Sequence, residues 1–250
     1  MILSDPSEYN LTTAREILRA NHYPGAELSF HQKMGEDSFL EPDSVDMVIA
    51  CECLHYTDIG KAIVSIHSSL RPGGTMASVF YSVLSSRIYD DERADAAWRA
   101  FAQMHYKRLL DEKVETIFAR VIPSQLGVGL NFVSMESDKW KDVKRIFFNV
   151  PSGKTEWPLE VGLEELMKAK GTSRIDPEYD SLEWRSDSDG WGIEDCTVER
   201  IREMLVSWHL DYDEKDWQSE EWREFEAAVN GACGKCHFVF PATMILGRKK

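Results

Sequence analysis

A glutamate and a histidine follow a short apolar run in the segment SVDMVIACECLHYTD, residues 44–58. The run predicts a buried strand at residues 46–50, and ligands in open α/β sheets bind at the carboxyl ends of such strands. His55 titrates close to neutral pH, so its neutral imidazole could take a proton from a substrate hydroxyl or carboxyl. Glu52 is a second catalytic candidate. The sequence is equally compatible with a His55 that only packs or hydrogen-bonds beside Tyr56. A carboxylate at the position of Glu52 is more often a solvated loop residue than a general base.

Short apolar runs alternate with helical patterns up to residue 82. Strands joined by crossover helices form parallel sheets, so this pattern predicts an α/β fold. Glycine permits the positive φ of a tight connection, and Arg71-Pro72-Gly73-Gly74 therefore predicts a turn. The predicted strands are residues 1–3, 27–32, 46–50 and 75–81, and the predicted helices are residues 11–20 and 59–70.

The remainder of the chain has charged, aromatic-rich helical patterns. We expect a single domain, residues 1–250, in which residues 83–195 form a helical and loop insertion that acts as a lid. The helices are predicted from apolar residues at helical spacing, and the loop is predicted from the absence of such spacing. The predicted helices are residues 90–115, 137–148, 161–170, 197–208 and 217–230; residues 172–190 are predicted to be a loop, and residues 238–246 a final strand.

The chain has 43 acidic and 29 basic side chains and a formal net charge of −14 at pH 7. A negative field repels nucleic acid and anionic membranes, so neither is an expected partner. The expected partner is a small-molecule substrate. Apolar runs are too short for a membrane span, and the first residues do not resemble a secretory signal, which predicts a cytoplasmic protein. The five cysteines have no regular spacing and are expected to be reduced thiols.

The string Cys233-Gly-Lys-Cys236-His237 has the spacing of a haem-attachment motif or of half a zinc site. Structural zinc sites use a second pair of ligands, and the remaining candidates, Cys196 and His209, are not paired at ligand spacing. We therefore expect no metal here, and interpret the string as the turn before the last strand.

Two segments together, residues 44–58 and LRPGGTMASVFYS at residues 70–82, resemble the fourth and fifth strands of class I SAM-dependent methyltransferases. The resemblance implies an incomplete Rossmann-like sheet with SAM as cofactor. It places Ala50 and Cys51 beside the cofactor. In the opening MILSDPS, Asp5 matches the acidic residue that binds the ribose hydroxyls.

The segment KMGEDSFLEPDS, residues 33–44, resembles the acidic loop beside the adenine in the same family, which makes Glu36 or Asp37 a cofactor ligand. Residues 140–158, 193–205 and 238–250 are similar to the fungal trans-aconitate-methyltransferase-like subgroup. Membership implies O-methyl transfer to a small organic acid or secondary metabolite, with His55 as the base.

Five further residues are candidates for substrate binding. Arginines can clamp a carboxylate with two hydrogen bonds, which makes Arg145 and Arg120 candidates, although such arginines are more often in ion pairs. Aromatic side chains line apolar pockets, although most of them pack in cores. The aromatic candidates are Tyr56, Tyr81 and Trp140.

The family has a glycine-rich SAM loop after its first strand, and this loop would precede Met1. Gly127-Val-Gly129 and Gly190-Trp-Gly192 are the similar strings, and neither follows an early strand. Three functions therefore stay open. The first is SAM-dependent transfer. The second is a cofactor-free cyclisation, isomerisation or elimination on the same fold. The third is a non-catalytic chain that completes its sheet with another methyltransferase chain or in a homodimer.

Overall fold

The structure is a computed structural model that describes residues 1–20, 27–82, 85–111, 129–155, 157, 173–186, 190–207 and 212–250. Helices and strands alternate along these ranges, which confirms the predicted α/β class. The chain divides into two compact units. The first comprises Met1–Ser78, Glu136–Asp142 and Leu246–Lys250, and the second comprises Val79–Met135 and Val143–Ile245.

A strand, a helix and a second strand begin the first unit. The two strands pair in parallel, with Ile2 opposite Ser29 and Asp5 opposite Gln32. Parallel strands need a crossover connection, and the intervening helix supplies it. All three elements were predicted, with boundaries shifted by a few residues. They are β1 (Ile2–Asp5), α1 (Glu8–Ala20) and β2 (Ser29–Gln32).

The next elements contain the segment with His55. They are β3 (Val45–Cys51), a 3₁₀ turn (Leu54–Tyr56), α2 (Ile59–Ser69) and β4 (Leu70–Tyr81). Asp58 caps α2, since its side chain accepts a hydrogen bond from the backbone N–H of Lys61 at 3.2 Å. The predicted turn at residues 71–74 lies inside β4. Gly73 provides the positive φ of 80° expected of that turn without interrupting the strand.

A five-stranded sheet has the order β3-β4-β10-β6-β7. Its last two strands are parallel, with Lys144 opposite Ser181 and Phe148 opposite Arg185. The strands not yet named are β6 (Trp140–Phe148), β7 (Ser181–Arg185) and β10 (Ala242–Lys249).

The helix predicted at residues 137–148 is wrong, because β6 occupies this segment. Trp140 and Val143 are both buried, and their spacing of three mimics one face of a helix. Asp142 explains the spacing: its left-handed φ of 53° interrupts the strand alternation, so two exposed residues separate the buried ones. The loop predicted at residues 172–190 is also wrong in part, since it contains β7. Residues 83–195 are therefore not helix and loop throughout.

The second unit has a three-stranded antiparallel sheet of order β5-β9-β8. Its strands are β5 (Arg87–Ile88), β8 (Gly192–Cys196) and β9 (Cys236–Val239). The single final strand predicted at residues 238–246 is thus two strands, β9 and β10, in different sheets. Pro241 lies between them, and proline cannot donate the hydrogen bond that a continuous strand would need.

Helices surround the core of the second unit. They are α3 (Glu92–Asp111), α4 (Val198–Ser207), α5 (Glu214–Trp217) and α6 (Glu220–Ala232). The Phe101 ring of α3 lies 4.9 Å from the Trp222 ring of α6. The Trp98 ring lies 5.0 Å from Phe238 of β9. The helix predicted at residues 217–230 is confirmed as α6, which begins three residues later because Ser219 caps it by accepting a hydrogen bond from Trp222 N–H at 3.1 Å.

Several predictions lie outside the described residues: the helix at 161–170, Arg120, Gly127, Trp208 and His209. No helix in the described ranges is both long enough and apolar enough to cross a membrane.

A buried ion pair connects β6 with the segment before β7. Arg145 and Asp180 have 0% and 1% of their side chains exposed, and Nε donates to Oδ2 at 2.5 Å. The other two guanidinium nitrogens donate to the carbonyls of Leu130 at 3.3 Å and Val133 at 2.9 Å. All three nitrogens of Arg145 are therefore engaged within the protein.

Replacing Arg145 with Met should lower the free energy of unfolding by about 3–5 kcal/mol, because Asp180 would stay buried without its cation. Adding Asp180→Leu should recover most of that loss. Urea denaturation followed by circular dichroism measures both. Arg71→Met is the control: it removes the exposed Arg71–Asp46 pair, with side chains 54% and 83% exposed, and should cost less than about 1 kcal/mol. An equal loss in the two single variants would contradict the prediction.

Candidate functional site

β1 ends at Asp5, whose carboxylate faces the start of α1. Its Oδ1 accepts hydrogen bonds from the backbone N–H of Ser7 at 2.7 Å and from Nδ2 of Asn10 at 3.2 Å. Within the described ranges these are the hydrogen bonds of the Asp5 side chain, and both use the same oxygen. One oxygen therefore stabilises the start of the helix, and Oδ2 is left to accept hydrogen bonds from a ligand.

A turn after β2 carries Glu36 and Asp37. Asp37 Oδ2 accepts a hydrogen bond from the backbone N–H of Met34 at 2.9 Å, so this carboxylate stabilises the turn. Glu36 Oε1 accepts one from the backbone N–H of Asp58 at 2.7 Å, which connects the turn to the start of α2. Glu36 Oε2 is buried, and no donor among the described residues reaches it. A buried acceptor in that state is costly unless a ligand or water supplies a donor.

β3 ends with Ala50 and Cys51 and is followed by Glu52. Ala50 is 6% exposed, and its carbonyl accepts a hydrogen bond from Ser78 Oγ at 3.0 Å. Glu52 has a left-handed φ of 50°, which is unfavourable for a residue with a side chain. This conformation ends the strand and turns the chain into the 3₁₀ turn that carries His55.

His55 is 3% exposed, and its ring lies 4.0 Å from the ring of Tyr56. Burial lowers the pKa of His55 to about 4, so the imidazole is neutral at pH 7. Tyr56 itself is 48% exposed. The structure thus shows the packed arrangement that the sequence left open, and a catalytic role for His55 stays a prediction.

Electrostatic effects show that the ends of β1 and β3 lie near each other. Burial raises the pKa of Cys53 to about 11, and the charges of Cys51, Glu52 and Asp5 add to the shift. Burial also raises the pKa of Tyr56, again with a contribution from Glu52. Asp5 and Glu52, which are distant in sequence, therefore act on the same group of side chains.

Three predicted substrate residues have packing contacts elsewhere. Tyr81 is in the second unit, with its ring 5.5 Å from that of Phe240. Trp140 is 1% exposed and meets the ring of His67 edge-on at 5.2 Å. Arg145 is held in the ion pair with Asp180. A role for these three in substrate binding stays a prediction.

Sequence reasoning missed Asp58 and Cys53 as members of this group. Asp58 had a signal, since an aspartate before a helical pattern predicts a cap. The turn also lies close to the start of α2: a Cβ added to Gly35 would be 2.8 Å from Cγ2 of Thr57, so a larger residue there would require Thr57 to shift. The nearness of Cys53 to Asp5 depends on strand pairing, which leaves no local pattern.

A metal site is not formed by the residues that the structure describes, where no group of three or more His, Cys, Asp and Glu side chains could hold an ion. Those residues include Cys196 and the string at 233–237. His209, the other donor considered, is outside them.

Comparison with known proteins identifies relatives of this chain. Residues 1–78 match the family model described as methyltransferase domain. Methyltransferase ptaI of Pestalotiopsis fici is 25% identical over 99% of this chain and 75% of its own length. Residues 1–78 are therefore similar to the methyltransferase domain, and the chain is similar to a methyltransferase over nearly its whole length. The methyltransferase model covers β1 to β4 up to Ser78, and therefore every candidate residue of the first unit except Trp140.

Two further proteins are similar to this methyltransferase-like chain. The probable S-adenosylmethionine-dependent methyltransferase CRG1 of Saccharomyces cerevisiae is 35% identical over 31% of this chain and 26% of its own. The solved structure of phosphoethanolamine N-methyltransferase 2 from Haemonchus contortus aligns with 99% of this chain and 43% of that protein, at 12% identity and a TM-score of 0.41.

His55 should make this methyltransferase-like chain less stable in acid. Its pKa falls from 6.5 to about 4 on folding, so the unfolded state binds the proton more tightly. The contribution of neutral His55 to the free energy of unfolding is complete above pH 6.5 and is lost as the pH falls to about 4. The change is about 3 kcal/mol, because one pKa unit corresponds to about 1.4 kcal/mol. Urea denaturation at several pH values measures it.

His55→Asn should flatten the pH dependence of the unfolding free energy between pH 6.5 and 4. The slope is the readout, because loss of ring packing lowers stability at every pH. Gln32→Asn, in the short strand β2, removes no titratable group; it is the control and should keep the slope of the natural protein. An unchanged slope in His55→Asn would rule out this account.

Proposed function

We propose that the chain is a SAM-dependent methyltransferase that acts on a small organic acid or secondary metabolite, at an oxygen atom. The observation that carries the proposal is the pair of carboxylates, Asp5 and Glu36, each with one oxygen held by the protein and the other without a described donor. The methyltransferase domain match over residues 1–78 and the fungal relative support it. CRG1, whose name specifies S-adenosylmethionine, supports this cofactor.

The adenosine part of SAM presents the donors that these two carboxylates lack. Asp5 Oδ2 would accept hydrogen bonds from the ribose hydroxyls, and Glu36 Oε2 would accept one from the amino group of the adenine. Charged acceptors make the stronger hydrogen bonds. When bound, the cofactor supplies an activated methyl group.

Positioning is the main contribution of the protein to methyl transfer, because holding two reactants in line removes a large entropic barrier. Burial keeps His55 neutral, so its imidazole can orient a substrate oxygen by a hydrogen bond. Tyr56, half-exposed and in contact with the His55 ring, is the nearest candidate for substrate contact.

Titration calorimetry with SAM and the purified chain tests the cofactor assignment, with Asp5→Asn as the variant. Asparagine keeps an oxygen for the bonds to Ser7 and Asn10, so the start of α1 should be preserved. It removes the charge and one acceptor. We expect SAM binding to weaken by roughly 10- to 100-fold, since a hydrogen bond to a charged group contributes about 1.5–3 kcal/mol.

Asp46→Asn is the matched control, because Asp46 is an exposed carboxylate at the opposite end of β3. It should leave SAM affinity within about twofold. Equal affinity of Asp5→Asn and the natural chain would remove Asp5 from the site. A folded chain that does not bind SAM at all would contradict the proposal and favour the cofactor-free enzyme.

A second candidate function rests on β3. This strand is at the end of its sheet, and Met47 and Ile49 on one face of it are 55% and 65% exposed. An apolar strand at a sheet edge can pair with a strand of another chain. The partner proposed is a second methyltransferase chain, either another copy or a related one.

Light scattering after size-exclusion chromatography tests this second candidate. The natural chain should form a dimer at micromolar concentration, and Met47→Lys should dissociate it by placing a charge on the apolar face. Val64→Lys, on α2, is the control because Val64 is 63% exposed and should leave the dimer intact. A natural chain that stays monomeric up to about 100 μM would contradict self-pairing.

A further inference from the structure

Two buried cysteines of the second unit lie directly opposite each other. Cys196 is the last residue of β8, Cys236 is the first of β9, and they are partners in the antiparallel register. They are 1% and 3% exposed. Cys236 Sγ lies 3.5 Å from the carbonyl oxygen of Cys196, so the Cys236 thiol points toward its neighbour's backbone.

A bulge in β8 creates this pairing. Gly192 is opposite Val239 and Ile193 is opposite Phe238, and in an unbroken ladder Asp195 would then face Cys236. The register shifts by one residue between Ile193 and Cys196, and Asp195 has a left-handed φ of 51°. Bulges re-aim side chains in this way. The local strain at Asp195 therefore accompanies the alignment of the two thiols.

Directly opposed residues in antiparallel strands have Cα atoms about 4.5–5.5 Å apart. Disulfides span Cα separations of about 4.4–6.8 Å. Side chains of opposed residues project from the same face of the sheet. The two cysteines can therefore be joined with little backbone movement, although each now donates its S–H to a backbone carbonyl.

Access to this pair runs through a third cysteine. Burial raises the pKa of Cys196 to about 11 and the pKa of Cys236 to about 12, so neither thiol ionises readily. Cys233 is exposed, and it precedes Cys236 at the C-x-x-C spacing that is common in thiol–disulfide exchange. Its effect on the pKa of Cys236 shows that the two are close.

We propose that Cys196 and Cys236 form a reversible cross-strand disulfide, and that Cys233 is the thiol through which a small disulfide such as oxidised glutathione oxidises them. Cys233 attacks one glutathione sulfur and releases the other glutathione as a thiol. Cys236 then attacks the mixed disulfide at Cys233, releasing the second glutathione thiol. Cys196 attacks Cys236 and restores the Cys233 thiol. Two protein thiols and one small disulfide thus give one protein disulfide and two small thiols.

The disulfide would close a loop that contains α4, α5 and α6. Both cysteines belong to the core of the second unit, together with Trp98 of α3 and Phe238 of β9. A cross-link of this loop length restricts the unfolded chain strongly. Oxidation should therefore stabilise the second unit.

The test equilibrates the natural chain with glutathione mixtures from fully reduced to fully oxidised, traps free thiols by alkylation, and maps disulfide peptides by mass spectrometry. We expect a peptide pair joined by Cys196 and Cys236, two free thiols lost per chain, and a Tm about 5 °C higher on oxidation. Dithiothreitol should reverse all three changes.

Three variants separate the steps. Cys233→Ser should slow formation of the disulfide at least tenfold and leave its equilibrium yield unchanged. Cys196→Ser should abolish the cross-strand peptide and stop the reaction at a Cys233–Cys236 disulfide. Cys51→Ser is the control, in the first unit, and should change neither rate nor yield.

Two results would overturn the proposal. One is a natural chain whose Cys196 stays alkylatable after equilibrium with oxidised glutathione. The other is a Cys233→Ser variant that forms the disulfide as fast as the natural chain, which would exclude Cys233 as the point of entry. The natural chain gives the first result directly, so a variant that fails to fold does not affect it.

Discussion

Backbone register is the constraint on which the strand ends and the sites beside them depend. Five non-glycine residues of the described chain have left-handed φ, and each lies next to a strand or inside one. Such residues are uncommon because a side chain is crowded in that conformation. Here they mark the points where a ladder of hydrogen bonds starts, shifts or ends. They are Asp43 before β3, Glu52 after it, Asp142 inside β6, Asn149 after it, and Asp195 inside β8.

Two of these residues set the chemistry of a site. Glu52 ends β3 and directs the chain so that buried His55 and half-exposed Tyr56 follow within one turn. Asp195 shifts β8 by one residue and brings Cys196 opposite Cys236. In both cases the strained residue is acidic and the residue that it positions is buried. Short polar side chains such as those of Asp and Asn tolerate this conformation better than branched ones, which favours a residue such as Asp195 at its position.

The sequence predicted the first unit well because its signals are local. Strand, crossover helix and strand can be recognised from apolar runs of few residues. Glu52 was found because it follows such a run, whereas Asp5 and Glu36 were found through the resemblance to the methyltransferase family. β6 was missed for a physical reason: the left-handed Asp142 gives two strand residues a spacing of three, which is also the spacing of a helix face. A register shift of this kind gives a strand the apolar spacing that is typical of a helix.

The partners of buried charges could not be predicted from local patterns. Arg145 was a candidate for clamping a substrate carboxylate, and in the structure it pairs with the carboxylate of Asp180, 35 residues later in the chain. Nothing near either residue identifies the other. The same holds for Cys196 and Cys236, whose relation depends on β8 and β9 being neighbours and on a bulge in one of them. Strand pairing, which local sequence patterns do not reveal, decided the partner in both cases.

Within the proposed function, the state of His55 favours one class of acceptor oxygen over another. A histidine whose pKa is lowered to about 4 is a weaker base than a free imidazole, so it is less suited to take a proton from a hydroxyl. A small organic acid needs no such help, because its carboxyl group has lost its proton at pH 7. A neutral imidazole N–H can still donate a hydrogen bond to that carboxylate and orient it. Burial of His55 therefore suits methylation of a carboxylate, where alignment is the task that remains, better than methylation of a hydroxyl.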